Sequence, residues 1–196
     1  MTRFVIGAAC LGVLGFLSPS VVTQETPRVI LKTELGDIEV ELYLERAPIT
    51  VANFLNYVDA RRFRGATFYR VVRLGNQPDN DVKIDVVQGG LGQDDRESRL
   101  PPIRHETTRE TGILHTDGVI SMARLEPGTA SSEFFICVGD QPELDFGGRR
   151  NPDGQGFAAF GKVTRGMDVV RAIHQHTAKD QSLDPPVSIL DVVRLP

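Results

Sequence analysis

The chain has 196 residues, enough for one domain or one domain with an appendage, and its 40% hydrophobic and 24% charged residues exclude intrinsic disorder. A formal net charge of -4 argues against a general nucleic-acid-binding surface. Two cysteines exclude both a disulfide-stapled scaffold and a cysteine-rich zinc module, while 19 glycines and 12 prolines imply many turns.

In chain order, the first segment stands apart. Arg3 precedes an uncharged apolar run from Phe4 to Leu17, and Ser18, Pro19 and Ser20 follow. A basic start, a short apolar stretch and small residues describe a secretory signal peptide. Read on to Val22, the run becomes long enough for an uncleaved membrane anchor. Residues 1–24 are therefore expected to be a signal peptide or membrane-anchor leader, and 25–196 the folded domain. The expected location is periplasmic or secreted, with anchoring by the leader as the alternative. Loss of the leader would remove Cys10 and leave Cys137 without an internal partner.

From Val29 to Tyr43 the pattern gives two strands. Ile38, Val40 and Leu42 alternate with Glu39, Glu41 and Tyr43, and Gly36-Asp37 is expected to make the hairpin turn. Ala47-Pro48 opens a helix whose apolar face is Val51, Phe54, Leu55 and Val58. Strands are expected at Phe68–Val72 and Ile84–Val87, across a polar loop, and at Gly118–Ala123 and Glu133–Val138. Asn151-Pro152-Asp153-Gly154 signals a turn before a strand at Phe157–Val163. A second helix is expected over Gly166–His174, and Val187–Leu195 alternates again. Seven or eight short strands with one early and one late helix suit a mainly β fold, an antiparallel barrel capped by two helices, since closure removes exposed edges.

Several apparent motifs carry no chemistry. His105-Glu106 lacks a second histidine four residues on, and His174 and His176 fall on different helix faces, so no metal is expected. Gly89 to Gly92 lacks the lysine of a phosphate loop. Ser121 lies in no nucleophile motif, Asp145-Phe146-Gly147 lacks its kinase companions, and Cys137 lies among apolar neighbours as a buried thiol would.

What remains is a series of blocks: Phe68-Tyr69-Arg70; Val87-Gln88-Gly89-Gly90; Gly118 to Arg124; Ser132 to Ile136; and Phe160-Gly161-Lys162-Val163 followed by Gly166 to Val170. In this order they resemble the cyclophilins of bacterial type, peptidyl-prolyl cis-trans isomerases, from about Val29 to Leu195. The resemblance implies a closed eight-stranded antiparallel cyclophilin-like barrel capped by two helices. It implies an enzyme without cofactor, a monomer acting on proline-containing polypeptides. Arg70 would be the catalytic arginine and Gln88 the glutamine that orients it. Phe135 would floor the proline pocket, with Leu144 as a wall, and Phe157, where some members carry His and bacterial ones often an aromatic, would also contact substrate. Val86, Ala123, Arg124 and Glu133 would also contact substrate.

This sequence departs from the family pattern at several places. The segment between Arg70 and Gln88 is longer than usual by roughly ten residues and loop-like. Asp85 and Val86 stand where the family carries a phenylalanine and a methionine, which would thin the pocket. Arg124 replaces an asparagine and Glu133 a glutamine. Glu143 stands where cyclosporin-sensitive members carry tryptophan, so strong cyclosporin binding is not expected. A carboxylate at Glu133 is expected to pair with Arg70 and Arg124. A non-catalytic proline-peptide-binding module or chaperone on the same fold is the second reading.

Overall fold

The computed structural model describes residues 26–92 and 98–196, so the expected leader, residues 1–24, lies outside the described residues. Strand β1 (Arg28–Thr33) buries Val29 and Leu31, and β2 (Gly36–Leu42) buries Ile38, Val40 and Leu42, leaving Glu39 and Glu41 on the other side. They pair antiparallel, Val29 opposite Val40 and Leu31 opposite Ile38. The hairpin turn is Glu34-Leu35 rather than Gly36-Asp37. Thr33 Oγ1 closes it, donating to the Gly36 carbonyl at 2.6 Å and accepting from Leu35 N at 3.2 Å. Gly36 belongs to β2, where its φ of 132° and the Val169 side chain, 2.9 Å from a would-be Cβ, exclude a larger residue.

Helix α1 (Pro48–Asp59) buries Val51, Phe54, Leu55, Tyr57 and Val58. Its first turn has no cap of its own. Buried Glu106 supplies one from afar, accepting from Thr50 N at 2.8 Å, Thr50 Oγ1 at 2.7 Å and Ile49 N at 3.3 Å. A carboxylate there satisfies orphan donors and matches the helix dipole. Then come β3 (Thr67–Val72), β4 (Val86–Gly90), a short helix α2 (Thr108–Thr111), β5 (Val119–Met122), β6 (Phe134–Cys137), β7 (Ala158–Arg165), α3 (Met167–Gln175), β8 (Ala178–Lys179) and β9 (Ser182–Arg194).

The strand order is β1-β2-β7-β5-β6-β4-β3-β9, and β9 pairs back to β1, closing an eight-stranded antiparallel barrel with the two-residue β8 appended to β9. Helix α3 packs on β2, β3 and β4 through buried Val170 and Ile173, and α1 packs on β7 and β9. Besides the two longer helices α1 and α3, the described residues include the short helix α2. No helix among the described residues is long and apolar enough to cross a membrane.

Alternation along the strands sorts the apolar side chains into two clusters. Phe68, Val71, Val87, Phe134 and Ile136 point into the main core, where Phe54 meets Phe63, Phe134 and Phe160 at centroid distances of 5.2–5.7 Å. Val72, Val86, Phe135 and Cys137 point the other way and join Ile84 and Leu144 in a second cluster, with Ala123 and Phe157 packed against it. This outer face of β3, β4 and β6 is where the candidate site lies.

Candidate active site

A β-bulge in β3 sets the geometry. Phe68 pairs with Gly89 and Arg70 with Gln88, so Tyr69 and Arg70 together oppose one residue of β4. Strict alternation would aim Tyr69 and Arg70 to opposite faces; with Phe68 and Val71 both inside the core, the bulge turns both outward. Arg70 Nη1 donates to Gln88 Oε1 at 2.8 Å, and Nε and Nη2 donate to Gln181 Oε1 at 3.0 and 2.5 Å. Gln181 lies in the β8–β9 turn and is itself held by the Asn76 carbonyl, which accepts from Nε2 at 3.0 Å. Burial draws the Arg70 guanidinium below its ordinary value, offset in part by Tyr69. Among the described residues no carboxylate lies within ion-pair distance of Arg70.

The apolar floor beside these groups is Phe135, 4% exposed. Its ring meets Phe157 edge-on at 5.2 Å and stacks on His115 at 5.9 Å. Phe157 N donates to the Leu144 carbonyl at 2.9 Å, which ties these two expected substrate contacts together. His115 is gripped on both ring nitrogens, 2.7 Å from Asp145 Oδ1 and 2.9 Å from Ser121 Oγ. The trio has the connectivity of a hydrolytic triad, yet Ser121 is 0% exposed and no substrate carbonyl reaches its oxygen. Its place behind Phe135 makes it a backing for the floor. Cys137 is buried in the same cluster, and burial pushes its thiol up, away from reactivity.

Two expectations are corrected. Glu133 pairs directly with neither Arg70 nor Arg124. Its Oε2 accepts from Tyr69 OH at 2.7 Å, and its Oε1 accepts from Ser132 Oγ at 2.9 Å and lies 3.6 Å from Arg99. Arg124 turns its buried guanidinium to Asp153, at 2.8 and 2.9 Å, to the Gly156 carbonyl, and over the Phe157 ring at 5.3 Å. Its charge is paired with that of Asp153. Nor does the outer cluster lack atoms where Asp85 and Val86 stand. Asp85 is 3.2 Å from His174 at the end of α3, while Ile84, 7% exposed, and Val86, 3% exposed, join the apolar cluster. Glu143 is on the surface, paired with Arg149 at 2.8 Å.

Tyr69, His115 and Gln181 are the residues that pattern reading omits. Tyr69 sits within a quoted block, but only the bulge brings it to Arg70's side. The long β3–β4 loop is organised by buried Gln77, whose Nε2 donates to the carbonyls of Arg73 and Ile84 at 2.7 and 2.8 Å. Arg150 pins it further, donating to Gln77 Oε1 and the Val82 carbonyl. A cavity of about 350 Å³ opens beside Gln88, lined in part by Tyr69, Ala123, Leu125 and Glu133.

The family model described as cyclophilin-type peptidyl-prolyl cis-trans isomerase/CLD matches residues 28–194. The chain is 36% identical over 161 residues to peptidyl-prolyl cis-trans isomerase A of Dickeya dadantii, covering 81% of this chain and 76% of that protein. It is 35% identical over 193 residues to a peptidyl-prolyl cis-trans isomerase of Acinetobacter baylyi, covering 92% of each. In fold it is similar to the crystal structure of a Cryptosporidium parvum cyclophilin-type isomerase, with a TM-score of 0.69, 20% identity, and coverage of 88% of this chain and 99% of that one. A second structure of that protein was determined in the presence of the dipeptide Ala-Pro. The sequence match across the whole barrel, joined to a barrel of the same architecture, shows that the chain belongs to the cyclophilin-type peptidyl-prolyl cis-trans isomerases.

Proposed function

We propose that Arg70 drives rotation about X-Pro bonds by donating to the prolyl nitrogen. Peptide resonance raises the rotation barrier to about 18–20 kcal/mol, and uncatalysed X-Pro isomerisation takes tens to hundreds of seconds. The nitrogen lone pair becomes available only when the bond is twisted. A donor aimed at it therefore binds the transition state more tightly than the ground state. An acceleration of about 10⁵-fold would correspond to roughly 7 kcal/mol. The observation that carries this reading is the company Arg70 keeps. Two neutral amides, Gln88 and Gln181, hold it without discharging it, beside the Phe135 floor.

A prolyl-peptide isomerisation assay tests the reading. Arg70→Ala is expected to lower kcat/KM by about 10²-fold or more, as loss of a donor to developing charge does elsewhere. Wild-type rates in that variant would overturn the mechanism.

The leader supports a destination. An uncharged apolar run after Arg3 fits export, and the clients would then be exported or envelope polypeptides. The N-terminal mass of the protein recovered from outside the cytoplasm is expected to lack the leader. An intact leader in a membrane fraction would replace export by anchoring.

A further inference from the structure

The bonds around Gln88 form a continuous chain. Arg70 Nη1 donates to Gln88 Oε1 at 2.8 Å, Gln88 Nε2 donates to Tyr69 OH at 2.7 Å, and Tyr69 OH donates to Glu133 Oε2 at 2.7 Å. A guanidinium has only donors and a carboxylate only acceptors. From the arginine end, Gln88 must present its oxygen to Arg70 and its NH₂ to Tyr69. The tyrosine oxygen must then accept from Gln88 and give its proton onward. From the carboxylate end, Tyr69 must donate, so its oxygen is left to accept. Both ends demand the same direction at every bond, and a flipped Gln88 amide would set NH₂ against the guanidinium. Strong hydrogen bonds to an ionised end add to the bias.

The framework is built to hold this chain. The β3 bulge puts Tyr69 and Arg70 on either side of Gln88. Gly90 lets the Glu133 carboxylate lie against β4, since a Cβ there would fall 2.6 Å from Oε2. The other carboxylate oxygen is fixed by Ser132. Burial and the neighbouring Glu133 push the Tyr69 phenol well above its ordinary range, so its proton stays in place.

We propose that Tyr69 and Glu133 are positioning residues of this isomerase: through a one-way hydrogen-bond relay they fix the Gln88 amide in the orientation that holds Arg70. The inference rests on the reading of Arg70 given above. Gln181 grips the same guanidinium from its other side, so breaking the relay loosens Arg70 without releasing it.

The test is a mutant cycle in the isomerisation assay, with Tm measured on each variant. Tyr69→Phe removes one oxygen and is expected to lower kcat/KM by about 3–10-fold, the range of one net hydrogen bond, chiefly through kcat. Glu133→Gln is expected to fall less, because its amide oxygen still accepts. Tyr69→Phe/Gln88→Ala is expected to be no slower than Gln88→Ala alone. A merely structural tyrosine would add its full loss to the double variant. Wild-type kcat/KM in Tyr69→Phe, or full additivity with Gln88→Ala, would overturn the relay. Arg70→Ala in the same series separates the two claims. An inactive Arg70→Ala beside an unaffected Tyr69→Phe sinks the relay alone, and an active Arg70→Ala sinks the reading beneath it.

Discussion

The guanidinium of Arg124 shows how one side chain is held by several neighbours at once. It bridges Asp153 and the Phe157 ring, and Phe157 in turn stands against Phe135. Arg124 holds the Asp153 carboxyl below the usual carboxylate range, chiefly through their hydrogen bonds. A depressed carboxylate contributes stability that is present above its unfolded pKa, about 3.9, and is lost as pH falls through the lower folded value. The Tm of the wild type is accordingly expected to exceed that of Asp153→Asn at pH 7, and the gap to close as pH drops below about 4. A Tm difference that stays constant across that range would show that the pair does not contribute through its charge. The family resemblance grouped Glu133 with Arg70 and Arg124 as unlike charges in one region, which suggested a pair. What the sequence could not display is that Asp153, brought by the turn at Asn151 to Gly154, reaches Arg124 first. Tyr69 was hidden for a different reason: period-2 alternation places it opposite Arg70, and a bulge leaves no mark in residue types.

At the scale of elements, periodicity and turn chemistry located β1, β2, α1, β3, β4, β5, β6, β7 and α3 to within about three residues, while β9 begins at Ser182, five residues before the expected start. The pieces it passed over are the ones too short for a period, the four-residue α2 and the two-residue β8. The hairpin glycine misled by position, since Gly36 serves close packing against Val169 rather than the turn. Helix α1 shows why an element can be legible while its support is not. Its apolar face is plain in the sequence, but its N-terminal acceptor is Glu106, more than fifty residues away in the chain. Glu106→Ala would strand the Thr50 and Ile49 donors and remove a charge matched to the helix dipole. A loss of about 2 kcal/mol in unfolding free energy is expected from a buried charge-assisted cap. Urea denaturation measures it, and an unchanged midpoint with an unchanged slope would show that water replaces the carboxylate.

In the molecule as a whole, alternation across a closed sheet separates the side chains that hold the barrel from those proposed to work on a peptide. Phe134 and Ile136 face inward and Phe135 and Cys137 outward on the same short strand, all four buried. Inside, Phe54 meets Phe63, Phe134 and Phe160; outside, Phe135 rests between His115 and Phe157. Both rings are nearly fully buried, so removing either costs stability, of the order of 3–5 kcal/mol for Phe→Ala. Activity should tell them apart. Phe54→Ala, with the gentler Phe54→Leu as a variant that keeps most of the volume, is expected to lower the denaturation midpoint while the folded enzyme keeps kcat/KM within about two-fold, because no contact to the outer face is lost. Phe135→Ala is expected to lose kcat/KM by about ten-fold or more even at temperatures where it is fully folded, since a proline ring would lose most of its apolar floor. Equal loss of kcat/KM in the folded forms of both variants would mean that strain in the core is transmitted through β6 to the groove. The two faces of the strand would then act as one.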